Sequence, residues 1–246
     1  MNVYSLHITI GNHAMSEIVE KEKILRPPMS SVERHALLVA ENVKAKTQFT
    51  DKYEGATIKL KTVLHNRAVI RSFKRVYAIS MRNWFIATNV ARSGKGDSSL
   101  ASSVEQGMLK KVSENIDFFK KKIQHCEIIA ADADVDFSLI SHGSVFTDDT
   151  PVVGPVAMQL RELFLCSDKY LDLTQALYSF AQITGDEANI ASFEVKRRLE
   201  AVSTSIRNFR KVTLNKVNEN GNARTGFKAS SEENTNETTS KEVVET

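Results

Sequence analysis

The sequence predicts a mainly α protein with a short β element. Long stretches without Gly or Pro place apolar residues three and four positions apart, the period of a helix packed along one face. A single segment, residues 57–62 (TIKLKT), alternates polar and apolar residues as a half-buried strand does. Turn-forming residues gather in a few places: Pro27 with Pro28, the run 93–99, and Pro151 with Pro155.

Residues 1–50 form an N-terminal extension of unclear role, with a candidate strand at 4–10 and a helix over 31–46. Ser30, with Glu33 three positions later, is spaced as a capping box just behind the proline pair. In the strand at 57–62, Thr57, Lys59 and Lys61 share one face, and Ile58, Leu60 and Thr62 the other. Residues 63–91 contain neither Gly nor Pro, so they read as one long helix or as two with a turn near 72–74. Val63, Ile70, Tyr77 and Trp84 recur every seven residues, which fits the continuous version. After the loop at 93–99, Asp97 or a nearby serine caps a helix over 99–124, whose weakest point is Gly107. Leu109, Val112, Ile116, Phe119 and Ile123 form its packing seam. Residues 127–144 read as strand or irregular structure, and 156–183 and 186–215 as helices. Beyond 217 there is little to bury, so 218–246 reads as a disordered, mildly acidic tail. The expected division is an extension at 1–50, a β-plus-helix module at 55–93, a helical domain with a possible strand at 97–217, and the tail.

At 246 residues, 41% of them apolar, the chain can bury one good core or two small ones. Cys126 and Cys166 belong to no CxxC pattern, so neither a disulfide framework nor a zinc site is expected. No apolar run reaches the roughly 18 residues of a membrane span, and the first residues lack the pattern of a secretion signal. The expectation is a soluble, cytoplasmic protein. Enzyme signatures fail one by one. Asp132, Asp134 and Asp136 open like a calcium loop, but Phe137 stands where Gly is required and Gly143 where a bidentate Glu belongs. Gly94 with Lys95 suggests a phosphate loop, yet Asn89 and Gly96 occupy its other key positions. The six histidines show no paired spacing, and no Ser, Cys or Thr is marked as a nucleophile. The chain is expected to be no enzyme, and to use no cofactor, metal or small-molecule ligand.

Charge is distributed unevenly. The net charge of +3 is mild, but residues 55–96 carry nine cations (Lys59, Lys61, Arg67, Arg71, Lys74, Arg75, Arg82, Arg92, Lys95) and no Asp or Glu. Residues 123–160 carry six acids (Glu127, Asp132, Asp134, Asp136, Asp148, Asp149) and no Lys or Arg. The basic strand also needs a neighbour, because a single strand is unstable in water. Segment 4–10 or 127–144 could supply it, or the same strand of a second chain. The last choice puts Lys59 and Lys61 of both copies on one face of a ribbon that fits the major groove, with Thr57 able to serve either base edge. Arg67 and Arg71 would follow, and a helix start near 72–75, with Lys74 and Arg75, would meet a flanking phosphate.

Strand 57–62 with helices at about 63–72 and 74–92 resembles a ribbon-helix-helix dimerisation module, here extended by long helices. The span from about 57 to 210 resembles the AcaB-like regulators of conjugative plasmids and integrating conjugative elements. The likeness rests on TIKLKT, on VYAISMRNW at 76–84, on the helix through 104–123 and on residues 151–173. It implies a homodimeric, sequence-specific transcriptional regulator, an activator of conjugative-transfer genes, holding promoter DNA through a ribbon made by two chains. Ribbon-helix-helix modules commonly carry a glycine turn between their helices, and 63–91 has none. The rival reading is a non-enzymatic helical interaction protein whose basic face docks an acidic partner or the conjugation machinery.

Overall fold

Ser30 opens the first helix as its spacing requires. Its hydroxyl accepts from the Glu33 N–H at 3.2 Å, and its own N–H donates to the Glu33 carboxylate at 2.8 Å. Two donors that a helix start leaves without partners are thereby satisfied. Helix α1 then runs Ser31–Lys52. The computed structural model describes residues 29–52, 57–92, 98–143 and 145–233. The chain divides into two units after Leu37, and the elements that follow α1 belong to the second. The candidate strand at 4–10 and the loop residues 93–97 lie outside the described residues.

Next come β1 (Ile58–Leu64), α2 (Arg67–Arg92), α3 (Ser98–Asp132), a turn of 3-10 helix (Phe137–Leu139), β2 (Phe146–Val152), α4 (Pro155–Ser179) and α5 (Gly185–Glu233). Helices α2 to α5 pack on one another, and β1 lies against α4. Their apolar faces meet in one cluster that includes Phe73, Trp84, Met108, Phe119, Phe164 and Leu199. The seam read from α3 is found there, with Val112, Ile116, Phe119 and Ile123 buried and Leu109 partly so. Phe73 and Tyr77 stack with ring centroids 4.6 Å apart, and Phe164 meets Phe73 edge-on at 5.2 Å.

Four expectations change. The region 63–91 holds the end of β1 and then one unbroken helix, with Ser72 and Phe73 buried in mid-helix where a turn was an option. With neither Gly nor Pro to break it, and Val69, Phe73, Tyr77 and Trp84 all needed in the core, nothing favours a turn. A ribbon-helix-helix arrangement of two short helices is therefore absent from residues 57–92. Helix α3 continues to Asp132, so the first part of 127–144 is helical. The strand lies further on, at Phe146–Val152, and includes Pro151. Asp136, from the rejected calcium motif, caps the 3-10 helix by accepting from the Ser138 N–H at 2.8 Å. Finally, α5 is helical to Glu233, well past the point where a tail was expected, while 234–246 lie outside the described residues. A second capping box opens α5: the Thr184 N–H donates to Glu187 at 2.7 Å, and the Glu187 N–H returns to the Thr184 hydroxyl at 3.2 Å.

Two glycines carry specific loads. At Gly107 a Cβ would stand 2.9 Å from the Phe209 ring, so the apparent weak point of α3 makes room for a side chain of α5. Gly154 precedes Pro155, the first residue of α4, with φ +87° and ψ 177°, a conformation open to glycine almost alone. A Cβ there would also lie 3.0 Å from the Trp84 ring. Gly154→Ala is expected to destabilise the fold by roughly 1–3 kcal/mol, measured as a lower denaturant midpoint with an unchanged slope.

Candidate functional site

The basic strand has its partner within the chain. β1 and β2 pair antiparallel, with Lys59 opposite Pro151, Lys61 opposite Asp149 and Thr62 opposite Asp148. The most basic and the most acidic stretches thus lie side by side, and the Lys46 ammonium binds the Asp148 carboxylate beside them. Arg161 of α4 reaches across, donating to the Lys61 carbonyl at 2.8 Å and to the Thr62 hydroxyl at 2.9 Å. Thr62 and Thr150 are both fully buried, and the Thr150 hydroxyl donates to that of Thr62 at 2.8 Å. The ribbon formed by two copies of this strand alone is corrected accordingly. The candidate partners within the chain were 4–10 and 127–144, and β2 begins just past the second of these. On the face opposite the lysines, Ile58 is 59% exposed, and Leu60 packs at the rim of the chain's own core.

The seven predicted DNA-contacting residues fall into three groups. Thr57, Lys59 and Lys61 are exposed, Lys59 and Lys61 on the outward row of β1 and Thr57 immediately before the strand. Asp149 puts one carboxylate opposite that row. Arg67, Arg71 and Lys74 are exposed at spacings of four and three, which place them along one stripe of α2. The Lys74 ammonium rests 4.6 Å from the centre of the Phe146 ring, the first residue of β2. Arg75 leaves the set: it is half-buried and paired with Glu200 of α5 at 3.0 Å. The helix start expected near 72–75 is instead at Arg67, where the Asn66 side chain accepts from the Ala68 N–H at 2.9 Å.

Just before that start lies a group of residues that sequence reading left scattered. Asp168 of α4 accepts from the backbone N–H groups of His65 and Asn66, each at 2.8 Å. His65 Nδ1 stands 3.4 Å from a carboxylate oxygen of Asp168 and 3.4 Å from one of Asp172. His142, in the irregular segment before β2, turns its Nε2 to the same Asp172 oxygen at 3.7 Å. The two imidazoles stack with centroids 3.9 Å apart and planes 15° from parallel. Burial pushes the Asp168 carboxyl above its usual range, against the pull of the two N–H groups. Burial and the neighbouring Asp168 charge push Asp172 up to about 6. His65, His142 and Asp172 offer ligand atoms within 4.8 Å of one another, so these three could hold a metal ion.

No family model matches the chain, and no curated protein does. Among solved structures, the crystal structure of selenomethionine-containing AcaB from uropathogenic E. coli matches over 68% of this chain and 85% of that one, with a TM-score of 0.62. The fold is similar to that of AcaB. The AcaB-like architecture expected from the sequence is therefore found, and at 15% identity the likeness to AcaB is one of fold alone.

Beside that AcaB-like frame, the two exposed cationic rows can meet a polyanion, whereas the His–Asp group can hold a proton or a metal. No helix among the described residues is long and apolar enough to cross a membrane. The histidine pair carries no local signature, because His65 and His142 come from separate elements. The signal that could have raised it is the pair Asp168 and Asp172, four apart on a helix and therefore on one face.

Proposed function

We propose that the chain is a non-enzymatic, sequence-specific regulator of transcription that binds duplex DNA. The observation that carries this reading is the pair of exposed cationic rows, Lys59 with Lys61 on β1 and Arg67, Arg71 with Lys74 on α2, drawn from a stretch without a single acid. Rows of this kind fix a protein on phosphates, and side chains projecting from a narrow sheet can reach base edges. The AcaB-like fold supports the resemblance seen in the sequence, and on that resemblance we propose activation of conjugative-transfer genes by a cytoplasmic homodimer. In this reading the second copy adds at the outer edge of β1, bringing Lys59 and Lys61 of both chains together at the centre of a four-stranded sheet. Arg161 must then release the Lys61 carbonyl it now holds.

The test is selection: full-length protein incubated with fragmented genomic DNA, followed by sequencing of the retained fragments. Enrichment of a small set sharing one motif is expected, and uniform recovery would reject sequence-specific binding. A second reading has one observation in its favour. Lys61 opposite Asp149, and Lys46 bound to Asp148, are cations of this region answering carboxylates, so an acidic protein surface would also suit the rows. Polyglutamate competing as well as specific duplex does would favour that docking role.

A further inference from the structure

The group at the foot of β1 has the makings of a site independent of nucleic acid. We propose that His65, His142 and Asp172 bind one divalent transition-metal ion, with zinc the best match to the donors. The three come from different elements: the junction between β1 and α2, the irregular segment before β2, and α4. They nonetheless converge so that each offers a ligand atom within 4.8 Å of the others.

The distances are loose for hydrogen bonds and also suit a shared ion. His65 Nδ1 and His142 Nε2 stand 3.4 and 3.7 Å from one Asp172 oxygen, beyond the roughly 2.7–3.2 Å of a good N–H···O bond. They fall close to the edge of a tetrahedron around zinc, about 3.3–3.6 Å for arms of 2.0–2.2 Å. Two imidazoles and a carboxylate are donors that suit zinc and its neighbours, whereas calcium and magnesium prefer oxygen alone. His142 belongs to neither helix nor strand, so the segment that carries it can shift to close the remaining gap. Behind the three, Asp168 holds the His65 backbone N–H at 2.8 Å and stands 3.4 Å from its Nδ1. It is thus a positioning residue that acts through the main chain, fixing the backbone that carries His65. Three protein donors leave a fourth position for water or an exogenous ligand. Bound metal would fasten the segment around His142 to the start of α2, next to Arg67 and Arg71.

Full-length protein stripped with a chelator, titrated with zinc chloride by calorimetry and with cobalt chloride by visible absorption, tests this. Saturable uptake of one ion per chain is expected, with a tetrahedral cobalt spectrum and a melting temperature that rises with zinc. His142→Ala and Asp172→Asn are expected to weaken zinc binding at least tenfold and to abolish the cobalt spectrum. Because His142 lies outside every described helix and strand, the metal-free His142→Ala protein should melt close to wild type, which separates loss of a ligand from loss of the fold. Unchanged uptake by His142→Ala, or no stoichiometric uptake by wild type, would overturn the site. Neither outcome bears on DNA binding.

Discussion

Lys59→Glu combined with Lys61→Glu and Arg71→Glu is expected to weaken binding to the selected duplex by roughly 100-fold or more. All three side chains are exposed, so the variant should keep its circular dichroism spectrum, and surface changes of this kind move stability by about 0.5 kcal/mol at most. The three-residue change matters because Lys61 already faces Asp149 across the sheet, which offsets part of its charge. Arg75→Glu serves as the contrasting variant. Arg75 is paired with Glu200, so its replacement should lower stability through like-charge repulsion while leaving the DNA affinity of the folded fraction near that of wild type. Fluorescence anisotropy with labelled duplex, read beside a thermal melt, distinguishes the two kinds of loss.

Asp168→Ala is expected to lower stability by about 3 kcal/mol. Its carboxylate is 3% exposed as a residue and receives two backbone N–H groups at the point where β1 turns into α2. Removing it leaves those donors facing a buried space, at a cost of about 1–3 kcal/mol apiece before any relaxation. Asp168→Asn keeps the volume and one carbonyl acceptor, so it should cost less than half as much. Chemical denaturation of the three proteins measures the order. An Asp168→Ala midpoint equal to that of wild type would mean that water replaces the carboxylate fully.

Much of the frame was legible because it depends on local chemistry. The capping box of Ser30 and Glu33, the seam of α3 and the alternation of residues 57–62 are each set by neighbours a few positions away, and each was found. The partner of β1 was not legible. Its identity depends on a contact between residues about ninety positions apart, and β2 (FTDDTPV) contains a proline and two aspartates, which argue against a strand. The edge position explains the proline, since in a sheet of two strands each has an outer side that needs no N–H donor. The cations of residues 55–96 were read as a sign of an external polyanion. They also reflect the meeting of Lys61 with Asp149 inside the molecule. Arg75 was misjudged for a related reason: a lone cation on a helix looks the same in sequence whether solvent or Glu200 receives it. His65 and His142 escaped because no spacing rule covers ligands supplied by separate elements.

The measurement that bears most directly on the proposed role is the salt dependence of duplex affinity for wild type beside the Lys59→Glu, Lys61→Glu, Arg71→Glu variant. For contacts with phosphates, the logarithm of the binding constant falls with the logarithm of salt concentration by about 0.9 for each phosphate neutralised. Wild type should give a steep slope, and the variant a slope shallower by about 0.9 for every phosphate contact its three residues make. Equal slopes for the two proteins, or an affinity for duplex that does not change with salt, would contradict the claim that these rows hold DNA.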